Sequence, residues 1–129
     1  MSARLANDIP EVPIILNHTG MPFANNAASR RQWGAGMRAM ATAGNVSVKI
    51  SALGMATPGW TADDIRPYVE DTIDIFGVDR CMFASNFPVD SLTSDYTSIW
   101  AAYDEITSGM SDADRKKLFH DNAVRYYRL

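Results

Sequence analysis

The stretch Ile14-Ile15-Leu16-Asn17-His18-Thr19-Gly20-Met21-Pro22 decides the fold. An apolar run stops abruptly at Asn-His, and a turn follows at once. The run beginning at Val12 has the length and β-branched content of a buried strand, at about residues 12–17. Two further runs match it: Val46-Ser47-Val48-Lys49-Ile50-Ser51 at 46–51, and Arg80-Cys81-Met82-Phe83-Ala84-Ser85 at 80–85. Their starts, 12, 46 and 80, are separated by two equal intervals of 34 residues. Each interval has room for one helix, the cadence of parallel strands joined by helical crossovers.

The intervening helices are legible. Trp33, Met37, Met40 and Ala41 form one apolar stripe, and Gly44 is placed to close that helix in a left-handed conformation. A second helix follows Thr61, with Asp63 and Asp64 near its start, Ile65, Val69, Ile73 and Phe76 inward, and Gly77 at its end. Pro67 is tolerated near a helix start, which predicts a late beginning at Asp63 or Asp64. A third helix runs from about Ser94 to Ser108, with Ile99, Trp100, Tyr103 and Ile106 inward. Ser111-Asp112-Ala113-Asp114 opens a terminal helical segment carrying Leu118, Phe119, Tyr126 and Tyr127. The N-terminal stub reads as the end of a preceding helix. The fold class is therefore α/β, with parallel strands, in a single domain over 1–129.

In parallel α/β folds, ligands bind at the carboxyl ends of the strands. Six positions past each strand start lie His18, Ala52 and Asn86, again 34 apart, preceded by Asn17, Ser51 and Ser85. The polar residues of all three strands thus gather at one end of the sheet. His18 is there either as a hydrogen-bonded structural residue or as chemistry. Lys49 interrupts an apolar strand on the face of Ser47 and Ser51. It looks either into a barrel or cleft, or into solvent from an edge strand. Strand alternation gives Ile15, Lys49 and Phe83 one facing direction. Asp90, in the loop after the third strand, serves as acid, base or ligand, or begins a turn.

Other classes are poorly served. Of 129 residues, 47% are hydrophobic and the net charge is −3, which leaves no basic footprint for nucleic acid. No apolar run is long enough to span a membrane. The N-terminus lacks an apolar signal core, so the cytoplasm is the expected compartment, where the Asn17 and Asn45 sequons go unused. Cys81 is alone, so neither a disulfide framework nor a cysteine zinc cluster is available. Gly34-Ala35-Gly36-Met37-Arg38-Ala39 fits a dinucleotide pattern but lies inside a helical stripe rather than after a strand, and reads as helix packing. His120 sits among charged residues and reads as surface. A small doubly wound domain would want about five strands and a phosphate loop, and neither is visible.

The segments PIILNHTGMP, GNVSVKISAL, FGVDRCMFASNFPVD and LFHDNAVRYYRL together resemble the carboxyl-terminal part of the amidohydrolase-related TIM-barrel hydrolases. These are metal-dependent enzymes that include sugar lactonases and 2-pyrone-4,6-dicarboxylate lactonase. The resemblance spans the chain and implies a partial barrel made of the last three βα units, a C-terminal fragment. It implies hydrolysis of a lactone or amide bond in a small carboxylated or sugar-derived substrate. His18 matches a histidine that binds a metal or polarises the substrate carbonyl. Lys49 matches a lysine of the following strand; with Asn17, Ser51 and Ser85 it is a candidate substrate contact. Asn86 stands where most members carry the water-activating aspartate, and Asp90, four residues on, is the better candidate base, leaving Asn86 to position. A zinc-like divalent ion is the implied cofactor, yet the His-x-His pair of the family's first strand is missing. A barrel takes about 250 residues. The resemblance therefore also implies partners, either a second copy or a missing N-terminal half. The alternative is a catalytically inactive truncated domain.

Overall fold

The computed structural model describes residues 3–22, 26–56 and 59–129. Three strands, β1 (Ile14–Leu16), β2 (Val46–Ile50) and β3 (Cys81–Phe83), form one parallel sheet in the order β1-β2-β3. Around it run α1 (Ala3–Asp8), α2 (Ala27–Ala41), α3 (Ala62–Phe76), α4 (Tyr96–Ile106), α5 (Asp112–Lys116) and α6 (Asn122–Tyr127), the last two joined by a π turn at Lys117–Asp121. This is the architecture of a partial βα barrel. No helix among the described residues is long and apolar enough to cross a membrane.

Local chemistry sets the helix limits. Asn26 accepts the Ser29 N–H at 2.9 Å to start α2, and Asp95 accepts the Ser98 N–H at 2.9 Å to start α4. Asp64 takes both the backbone N–H and the hydroxyl of Thr61 at 2.8 Å. That cap starts α3 at Ala62, earlier than Pro67 suggested. Pro67 then lies in the second turn, where its missing N–H leaves the carbonyl of exposed Asp63 without a helical partner. Gly77 ends α3 at φ 79°, with its N–H on the Ile73 carbonyl. Gly44 does not adopt the left-handed conformation; Thr42, in right-handed geometry, closes α2 instead.

The sheet has two unlike faces. Val46, Val48, Ile50, Cys81 and Phe83 point into the core, against Met37 and Met40 of α2, Val69 and Phe76 of α3, and Tyr103 of α4. Phe83 stacks on Tyr103 with ring centroids 4.3 Å apart. Each such buried side chain contributes about 1.5–3 kcal/mol. Ser47 and Lys49 lie on the opposite face. The register pairs Ile15 with Ser47 and Lys49 with Met82. Phe83 therefore does not share the direction of Lys49, as equal spacing had implied; Met82 does. The reason is register: partners are offset by 32 residues between β1 and β2 and by 33 between β2 and β3, since Ile14 pairs with Val46 and Val48 with Cys81. A slip of one residue exchanges the faces.

The third strand is pinned from outside. Asn122, 4% exposed at the start of α6, donates through Nδ2 to the carbonyls of Val78 and Cys81, both at 2.7 Å.

Candidate active site

Each strand leaves the sheet through a residue in the left-handed region: His18 (φ 56°), Ala52 (φ 59°) and Asn86 (φ 57°). These are the three positions spaced by 34. Histidine and asparagine tolerate this geometry better than most residues, at a cost of about 1–2 kcal/mol for an L-amino acid. Short 3₁₀ turns follow, at His18–Gly20, Leu53–Ala56 and Val89–Leu92.

The first two corners are tied together. His18 Nδ1 lies 3.0 Å from the Ser51 hydroxyl. Fully buried Thr19, at φ 53°, donates its hydroxyl to the Ser51 carbonyl at 3.3 Å and accepts the Ser51 N–H at 3.2 Å. Trp33 Nε1 donates to the Thr19 carbonyl at 2.7 Å, anchoring that corner to α2. The third corner contributes a carboxylate. Asp90 is 3% exposed and accepts Asn86 Nδ2 at 2.7 Å, while its own N–H bonds the Asn86 carbonyl at 3.1 Å. Burial lifts the Asp90 carboxyl above the usual carboxylate range, opposed by the Asn86 hydrogen bond and by the charge of His18. Beneath them the hydroxyl of buried Tyr103 lies 3.4 Å from the carbonyls of both Ile50 and Ala84, at the strand ends. Burial, and then the Asp90 charge, push this phenol upward.

The other residues singled out in the sequence fall outside this cluster. Ser85 Oγ accepts the Phe87 N–H at 3.2 Å and shapes the loop. Asn17 is exposed and makes no side-chain cap; its carbonyl takes the Gly20 N–H. Lys49 is half-buried on the face of β2 that it shares with Ser47. Because β2 is the central strand, Lys49 is not an edge-blocking residue. Thr19 and Tyr103 join this cluster without a signal in the sequence. The hydroxyl partners named above lie 19 or more positions away, and no local pattern marks them.

A catalytic zinc ion takes three protein ligands and leaves one position open. Among the described residues no three His, Cys, Asp or Glu side chains converge. His18 and Asp90 are two suitable donors, and the Asn86 carbonyl is a weak third. The described residues therefore do not fit a complete zinc site, and His18 and Asp90 can themselves supply acid–base chemistry.

A family profile described as amidohydrolase matches residues 2–129. An uncharacterized protein, y4mH, of Sinorhizobium fredii is 54% identical over 125 residues, covering 97% of this chain and 42% of that protein. An L-fucono-1,5-lactonase of Burkholderia multivorans is 29% identical, covering 90% of this chain and 43% of the lactonase. The crystal structure of a Burkholderia multivorans amidohydrolase with bound zinc matches with a TM-score of 0.86 and 26% identity, over 100% of this chain and 51% of that one. The chain spans less than half the length of the curated relatives it matches.

Proposed function

The chain belongs to the amidohydrolase family, and from that premise we propose that it carries part of the active site of a hydrolase that opens a lactone or amide bond in a small carboxylated or sugar-derived substrate. The observation that carries this reading is the buried Asp90 carboxylate, hydrogen-bonded to Asn86, in the loop that follows the carboxyl end of β3. The lactonase name of a relative at 29% identity supports the lactone end of the substrate range.

The roles follow from the donors and acceptors. Asp90, ionised, takes a proton from a water molecule as its oxygen attacks the substrate carbonyl. Asn86 cannot be that base, since an amide has no useful basicity. Its Nδ2 holds Asp90, and its carbonyl oxygen is left to orient the water. The Ser51 hydroxyl donates to His18 Nδ1, which fixes the proton on Nε2. That N–H bonds the oxyanion as it forms. Collapse of the tetrahedral intermediate breaks the ring C–O bond, and protonated Asp90 returns its proton to the leaving oxygen. A lactone and water give one hydroxy acid. A zinc-like ion, where used, would need donors from outside these residues. Three strands leave two sheet edges, and we assign the rest of the wall to a second copy or to an N-terminal half. We place this work in the cytoplasm, where an unoxidised thiol such as Cys81 is stable.

The test is hydrolysis of 1,5-lactones, followed by acid release in a weakly buffered indicator assay, with Asp90→Asn and His18→Ala checked for folding by circular dichroism. Loss of a general base lowers kcat by roughly 100-fold or more. Activity of folded Asp90→Asn within threefold of wild type refutes the assignment.

A further inference from the structure

Outside the His18–Asp90 cluster, the face of the sheet opposite the core carries a second polar feature. Along β2 the core takes Val46, Val48 and Ile50, at 1%, 0% and 0% exposed, so Ser47, Lys49 and Ser51 alternate on the other face. Ser47 donates to the Ile14 carbonyl and Ser51 engages His18, so both hydroxyls are committed. Lys49, between them, is not. The chain has three lysines. Lys116 and Lys117 each pair with aspartate, whereas Lys49 pairs with no carboxylate, although all fifteen acidic residues lie among the described ones. Leu16 pairs with Val48, so one further step of the same register sets Asn17 beside Lys49 on the neighbouring strand, about 4.8 Å away. The Asn17 side chain makes no cap hydrogen bond. A cation and an amide, both uncommitted, thus share one row on the face that carries Ser51.

We propose that Lys49 and Asn17 form an anion subsite that takes a carboxylate of the substrate. Lys49 is half-buried and has no carboxylate partner, so an anionic ligand can serve as its counterion. A carboxylate has one charge and two oxygens, which one ammonium and one amide N–H₂ satisfy; a phosphate dianion would call for a second cation. The subsite lies one alternation step from Ser51, roughly 6.6 Å along the strand. The preferred substrate therefore carries its carboxylate about that far from the carbonyl under attack. The substrate class rests on the hydrolase reading of the neighbouring cluster; the anion site does not.

The experiment uses the full chain in two arms. In the first, glutarate and its dimethyl ester are titrated calorimetrically into wild type, Lys49→Gln, Lys49→Arg and Asn17→Ala. Glutarate binds and the ester does not; Lys49→Gln weakens glutarate at least tenfold, Asn17→Ala severalfold, and Lys49→Arg within threefold. Equal binding of diacid and ester by wild type overturns the subsite even where a variant fails to fold, and so does inorganic phosphate binding more tightly than glutarate. In the second arm, a lactone bearing a carboxylate is compared with its neutral counterpart. Wild type prefers the charged lactone through KM, and Lys49→Gln lowers that preference at least tenfold. Hydrolysis with an unchanged preference refutes the subsite and leaves the hydrolase reading standing. Glutarate binding that depends on Lys49, without hydrolysis of either lactone, upholds the subsite and refutes the hydrolase reading.

Discussion

Replacing Thr19 with valine removes one hydroxyl and nothing else of consequence. Valine has the same branched shape, so it bears the same left-handed backbone at φ 53° and fills the same fully buried space. What disappears is the acceptor for the Ser51 N–H and the donor to the Ser51 carbonyl. A buried donor left unsatisfied costs about 1–3 kcal/mol, and a lost hydrogen bond about 0.5–1.5 kcal/mol. The N–H bond at 3.2 Å is at the long end of its normal range and the hydroxyl bond at 3.3 Å is beyond it, which favours the lower part of the combined span, about 2 kcal/mol. Unfolding entropy for 129 residues is about 0.27 kcal/mol/K near 60 °C, so the melting temperature should fall by roughly 7 °C. Thr19→Ser, which keeps the hydroxyl, should lose clearly less. Because Ser51 also holds His18, lactone hydrolysis by Thr19→Val should lose kcat by more than the stability change explains, since an ångström of misplacement can cost about 100-fold. Thermal scanning by circular dichroism, alongside kinetics well below the melting temperature, reads both effects. A Thr19→Val melt within 2 °C of wild type refutes the claim that this hydroxyl ties the two corners.

Three more outcomes can be checked. The raised Asp90 carboxyl means that the native chain keeps this proton to higher pH than the unfolded chain, so the buried charge costs stability above the folded pKa, and that cost declines as pH falls through it and is gone below the unfolded value. Urea midpoints should therefore shift in favour of wild type over Asp90→Asn as pH drops from neutral towards the ordinary carboxylate range; a pH-independent difference contradicts this. Ala52→Gly should stay within about 0.5 kcal/mol of wild type in urea unfolding, because relief of the left-handed strain offsets the lost methyl and the added chain entropy, whereas Ala52→Val should lose about 2 kcal/mol. Burial pushes the Cys81 thiol up to about 12, so a disulfide reagent at pH 8 should leave the native chain unlabelled for minutes and react promptly once urea unfolds it; rapid native labelling would show that β3 is not sealed.

The cadence of 34 was readable because it reflects a repeated unit. The strands lie within the predicted windows, although only Ile14–Leu16, Val46–Ile50 and Cys81–Phe83 form ladders. Each helix stripe buries its leading members, Trp33 and Met37, Ile65 and Val69, Ile99 and Tyr103. Register was not readable. It depends on how hydrogen bonds stagger between parallel strands, and that moved Met82 to the face of Lys49 and Phe83 into the core. Pro67 points to a late start only when its own preference is taken apart from the cap that Thr61 and Asp64 build. Of the site, the residues at the strand ends were visible by position. Thr19 and Tyr103 were not, because each acts on backbone groups that only the folded chain brings near.

The three left-handed corners lead into near-equal connections: α2, α3 and α4 begin nine or ten residues after His18, Ala52 and Asn86. A corner built to one pattern three times is an exchangeable fitting. Its occupant is fixed by the chemistry wanted rather than by the turn, which accepts imidazole, methyl and amide alike. The central seat, now filled by alanine, is where a designer could graft a new donor between the imidazole and the carboxylate at the cost of one methyl group.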